Sequence, residues 1–236
     1  VALFDQRYSA GDDFETAVRE VMAAALISPE FLYIGFPEEN LPSDPEEAED
    51  IRQNQYLASR LSFFLWSSMP DNRLRELADA RALTDPAVLS AEVDRMLADP
   101  KARRLSSTFA DQWLQLDKLF NVGVSTELYP DFGPEFANLM AEESRATLQD
   151  VMHNDRDARS LFASDFMILN QELARHYGVD GVWGGDLRRV EVGGLPERAG
   201  LITQASVLTM NSDGRDSHPI KRGVWLLERE IGRAHV

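Results

Sequence analysis

The side chains best suited to chemistry cluster near the C-terminal end, in Asn211-Ser212-Asp213-Gly214-Arg215-Asp216-Ser217-His218. Pro219 follows and opens an apolar, helix-like segment, Ile220 to Glu228, that carries Lys221 and Arg222. A proline at a helix start leaves backbone N–H groups free, and the helix dipole adds partial positive charge there. With Arg215, Lys221 and Arg222 nearby, the arrangement can hold a phosphate, sulfate or carboxylate. The candidate ligand-binding residues are therefore Arg215, Asp216, Ser217, His218, Lys221 and Arg222. The bland alternative is a surface loop in which Asp216 or Ser217 caps the helix and Asp213 pairs with an arginine. A third option is catalysis, with His218 as acid or base, Asp216 orienting it and Arg222 in the site.

Other chemistries have weaker signals. His153, His176 and His218 form no His-x-x-x-His or Glu-x-x-His pair, so no metal site is expected. No Gly-x-Ser-x-Gly elbow exists, and a serine next to a histidine is not a triad, because triads assemble in space. The glycines of 181–194 lack the Gly-x-Gly-x-x-Gly spacing of a dinucleotide site. Glu142 and Glu143 form an acidic pair in a helical segment, but Glu142 and Arg145 stand three apart, the spacing of a surface ion pair. The aromatic run Phe63-Phe64-Leu65-Trp66, with Phe109 and Trp113, reads as core, and a stacking platform for a sugar or haem is the sharper alternative.

The elements that would position these residues are mainly helical. Asp12 and Asp13 stand before Phe14, Val18, Met22 and Leu26, an i, i+4 stripe. Leu57, Leu61, Phe64 and Leu65 suggest one face of the next helix. Asp71 caps a third, and Asp85-Pro86 and Asp99-Pro100 start two more. Pro134 opens a long helix with Phe136, Met140, Glu143, Thr147 and Val151. Asn170 caps Gln171 to Tyr177, with Gly178 as its C′ residue. A glycine-rich stretch then admits a short β-hairpin over Leu187 to Val192. The expected fold is mainly α: an antiparallel helical array with a loop-rich C-terminal module. Trp66 and Trp113 are expected to be buried near the same core.

Charge bounds the partners. The formal net charge is −16, and residues 1–50 hold 13 acids against two arginines. That balance disfavours nucleic acid, which needs a basic footprint. No apolar run approaches a membrane span. There is no cysteine.

Four stretches carry a resemblance: FETAVREVMAAALISPEFLY (14–33), QYLASRLSFFLWSSMPDNRLRELA (55–78), FMILNQELARHYGV (166–179) and AGLITQASVLTMNSDGRDSHPIKRGVWLLE (199–228). In this order they resemble large secreted proteins typical of planctomycetes, in which helical domains of unknown function accompany a cytochrome-c-like domain. The resemblance implies the tail of a small helical domain over 1–36; seven acids, no bases and three prolines make 37–50 an acidic linker that merges into the next helix. The resemblance further implies a central helical domain over 51–180 and the start of a C-terminal module over 181–230. It implies a periplasmic or extracellular setting and the other domains of the same polypeptide as partners; the charges of the 213–222 loop, not the resemblance, point to a small anion or acidic saccharide as ligand. Haem c would belong to a separate domain, since a chain without cysteine cannot hold it covalently, and no cofactor is expected in this piece. The last six residues, 231–236, read as the translation of a common sequencing adapter, ATCGGAAGAGCACACGTC, and suggest a metagenomic fragment. The expected function is a structural or ligand-binding segment of such a protein. The alternative is part of an extracytoplasmic enzyme, redox or polysaccharide-directed, with its site at the 213–222 loop.

Overall fold

The computed structural model describes residues 2–32, 41–193 and 200–231. The order of elements is α1 (Ala2–Ser9), α2 (Phe14–Leu26), α3 (Pro29–Leu32), α4 (Pro45–Trp66), α5 (Asn72–Asp79), α6 (Pro86–Ala98), α7 (Arg103–Leu114), α8 (Pro134–His153), β1 (Phe166–Leu169), α9 (Gln171–Tyr177), β2 (Arg188–Glu191), α10 (Ala205–Met210) and α11 (Pro219–Leu226). The fold is mainly α with one two-stranded antiparallel sheet. The chain divides into two compact units, Val1–Phe63 with Ser68–Val93, and Phe64–Ser67 with Asp94–Val236.

Helix starts follow the sequence signals. Asp13 accepts from Thr16 N at 2.8 Å, Asp71 from Leu74 N at 2.9 Å, and Asn170 from Leu173 N at 3.0 Å. Each bond satisfies one of the free amides of a first helical turn. Gly178 closes α9 at φ 71°, a left-handed cap that favours glycine. The acidic stretch 37–50 merges into α4 at Pro45, and 37–40 lies outside the described residues. The proposed adapter residues 232–236 also lie outside them.

In the first unit, α1 and α2 pack together, with Phe4 edge-on to Phe14. Asn54 of α4 is fully buried. It donates to Asp50 O at 2.9 Å and accepts from Leu83 N at 2.8 Å, so one amide ties a helix to a turn. Arg73 reaches the buried Glu92 at 2.5 Å.

In the second unit, α8 packs on α7 and α10. Its buried face runs Ala137, Met140, Ala141, Ser144, Leu148 and Val151. β2 pairs with β1 in the register Phe166↔Glu191 to Leu169↔Arg188. The strand at 188–191 therefore pairs with residues upstream of α9 rather than closing a hairpin on itself. The reason is burial: Phe166–Leu169 is apolar and buried throughout, and its backbone needs a ladder partner. Residues on both sides of 180 share this core.

Two expected faces are shifted. Phe63, Phe64 and Phe109, read as core, are exposed, Phe64 to 67%. The buried stripes are Asn54, Ala58, Ser62 and Leu65 on α4, and Ser106, Ala110 and Leu114 on α7. On α7 the small residues let α8 approach closely, so Phe109 turns outward. Trp66 is fully buried and donates to Met96 O at 2.9 Å, with Lys101 over its ring. Trp113 is half-buried against the main apolar cluster of the second unit, of which Trp66 is not part.

Candidate functional site

The loop after α10 is built by short side chains. Asp213 Oδ1 accepts from Arg215 N at 2.9 Å and Asp216 N at 2.7 Å. The amide of Asp216, then that of Arg215, holds the Asp213 carboxyl below its ordinary range. Asp213 thus pairs with the backbone of Arg215, not its guanidinium, because an aspartate is short enough to fold back on amides two and three residues ahead. Asn211 donates to Val207 O at 2.8 Å and Ser212 to Thr209 O at 2.8 Å, fixing the exit from α10.

The loop docks onto a second one. Ser125 N donates to Gly214 O at 2.9 Å, and Tyr129 Oη donates to Arg215 O at 2.9 Å. Gly214 sits at φ 87°, and a Cβ there would lie 2.2 Å from Gly123 O. Only glycine permits that approach.

Between the two loops lies a cleft of about 390 Å³. Tyr129, Phe132, Phe136, Met140 and Leu208 supply its apolar walls. Asp131, His176, Arg215, Asp216 and Ser217 supply its polar groups. The His176 ring stands edge-on to Phe136, centroids 5.1 Å apart.

The structure divides the six candidate residues. Arg215, Asp216 and Ser217 line the cleft. His218, Lys221 and Arg222 do not. His218 is the N-cap of α11, where its Nδ1 accepts from Lys221 N at 3.4 Å. Asp216 and Ser217, expected as alternative caps, instead face the cleft, because the Asp213 turn ends one residue before Ser217. Lys221 Nζ donates to Ser212 O at 3.1 Å. Arg215 lies 4.0 Å from Glu127. The three cations therefore do not converge on one anion.

Sequence reading did not assemble a buried polar network that joins α8, Tyr177 and the start of α10. Glu143 is fully buried, with Tyr177 Oη donating to its Oε2 at 2.6 Å. Ala205 N donates to the same Tyr177 oxygen at 2.7 Å. Ser144 donates to Gln204 at 2.6 Å, and Gln204 donates to Thr147 at 2.8 Å. The network ties α8, α9 and the start of α10 together. Glu142 pairs with Arg145 at 2.7 Å on the surface, as its spacing implied.

The cleft's aromatic wall was also missed. Its signal was present in Tyr129-Pro130-Asp131-Phe132-Gly133-Pro134, where aromatic residues, an acid and turn formers crowd a helix start. Among the described residues no group of three or more His, Asp or Glu is arranged to hold a metal. Among them, too, no helix is long and apolar enough to cross a membrane.

Residues 53–179 match the model of the family described as PSD4, protein of unknown function (DUF1592). The chain belongs to this family. No curated protein and no solved structure matches it. In this DUF1592 chain the matched span supplies Tyr129 to Met140 and His176, whereas Leu208 to Ser217 lie beyond it. The cleft is thus shared between the family's own span and the segment that follows.

Proposed function

We infer that this chain is a ligand-binding segment of a secreted, extracytoplasmic multidomain protein whose other domains include a cytochrome-c-like one. The four ordered stretches of resemblance support the setting. One observation carries the binding reading: residues 124–140, His176 and 208–217, far apart in sequence, converge on one cleft of about 390 Å³. That size lies within the roughly 300–1,000 Å³ usual for small-molecule sites, and apolar walls with a few polar groups are their usual lining. The enzymatic alternative needs Asp216, His218 and Arg222 to meet, and of these only Asp216 lines the cleft. Binding is therefore the preferred reading, with the other domains of the same polypeptide as partners.

The test is a ligand-observed NMR screen of sulfate, phosphate, acidic and neutral sugars, and organic amines. Wild type is compared with Ser217→Trp, which fills the cleft from its exposed rim. At least one compound should bind wild type and fail to bind the plugged variant. Equal binding by both proteins, or by neither, removes the cleft as the site.

A further inference from the structure

We propose that the cleft selects a small organic ammonium compound, primary or quaternary, rather than an anion. This rests on the reading of the cleft as a binding site and names its ligand class. The argument starts from the sign of the charge. Asp131 and Asp216 both line the cleft, and neither carboxylate makes an ion pair among the described residues. Arg215 is the one guanidinium there, and Glu127 stands 4.0 Å from it. The cations that would have reversed this balance are placed elsewhere: Lys221 donates to Ser212 O, and neither Lys221 nor Arg222 lines the cleft.

The walls favour the same ligand. Tyr129, Phe132 and Phe136 present aromatic rings, whose faces carry negative quadrupole density. A cation over such faces is attracted electrostatically, and a methylated ammonium also has an apolar surface to bury. Met140 and Leu208 accept the uncharged remainder of the molecule. A phosphate or sulfate would have to shed water beside two carboxylates and against apolar rings, which costs free energy that one guanidinium does not return. The charge of residues 94–236, 22 Asp and Glu against 17 Lys and Arg, acts weakly in the same direction. The cavity is what makes this a site, and the two acids decide what enters it.

The probes are benzyltrimethylammonium, benzyl alcohol as a neutral counterpart, and benzenesulfonate as an anionic one, titrated into the full chain by calorimetry. The ammonium should bind about tenfold or more tightly than the alcohol, and the sulfonate more weakly than either. Asp131→Asn and Asp216→Asn should each weaken the ammonium about three- to tenfold with unchanged thermal unfolding, since both side chains are exposed. Raising the salt from about 0.05 to about 0.5 M should weaken it as well. If the sulfonate binds wild type best and Ser217→Trp abolishes that binding, the ammonium proposal is overturned while the cleft remains the site. If the ammonium binds Ser217→Trp as tightly as wild type, both readings fall. No binding of the ammonium to wild type overturns this proposal alone, and the compound screen then decides the cleft.

Discussion

Helices α2 and α8 show the same kind of apolar repeat and meet different fates. α8 buries eight residues, three of them polar: Glu143, Ser144 and Thr147. α2 buries Ala17 alone and leaves Phe14, Met22 and Leu26 at least half exposed. The period of a sequence sets which residues share a face. Whether that face is covered depends on what packs against it. In α8 the cover includes hydrogen-bonding partners from α9 and α10, so polar residues enter the core without loss. α1 covers α2 only in part, and Phe14, though edge-on to Phe4, stays largely in water.

The contrast can be broken by substitution, and the largest effect should come from the second unit. Trp66→Ala removes a fully buried ring and its bond to Met96 O, and should cost about 3–5 kcal/mol in the urea transition of that unit. Trp113→Ala, from a half-buried site, should cost less, about 1–3 kcal/mol. Equal losses would mean that the exposure difference has no energetic meaning.

Gly214→Ala comes next. The new Cβ overlaps Gly123 O and sits at positive φ, so about 2–3 kcal/mol is expected, with the cleft loops displaced. A crystal structure of the variant with Gly214 O still on Ser125 N would refute the close-approach argument.

Tyr177→Phe deletes the hydroxyl shared by Glu143 and Ala205 N, and should cost about 1–2 kcal/mol. A neutral result would show that this buried network contributes no stability. Met22→Ala, at 59% exposure in α2, should change stability by less than about 0.5 kcal/mol. A loss above about 2 kcal/mol would reveal a covering surface in solution and erase the contrast with α8.

The smallest effect is local and pH-dependent. The Asp213 carboxyl has a folded-state pKa below its unfolded value, so its contribution is present above about pH 4 and is lost as the pH falls through the lowered value. Amide signals of Arg215 and Asp216 should therefore hold constant from neutral pH down to about 4 and shift below it. In Asp213→Asn the acid shift of the Arg215 amide should shrink, because the carboxyl that accepts from it no longer titrates.

Much of the helical architecture was legible because its signals are local. Asp71, Asp99, Asn170, Pro134 and Gly178 act within three or four residues of themselves, and each stands where its type implied. The faces of α4 and α7 were misread because their contact stripes are built of alanine, serine and asparagine, which carry little hydropathy. Pairing of β2 with β1 was not legible, since nothing near 188–191 names a partner some twenty residues upstream. The cleft was half legible. Arg215, Asp216, Ser217 and the nearby His176 could be picked out by type, but the opposite wall at 129–136 is joined to them only by the fold. The cap of α11 went to His218, a residue more often read as chemistry than as a helix stop.

Two long bonds also set a timetable for synthesis. Trp113 Nε1 donates to Arg229 O and Trp225 Nε1 to Leu114 O, across 116 and 111 positions of sequence. On a ribosome adding about 5–20 residues per second, α7 waits roughly 6–23 seconds for the helix that completes it. Through that interval its apolar face lacks its final neighbour, and an unfinished chain is open to aggregation in a way that the completed one is not.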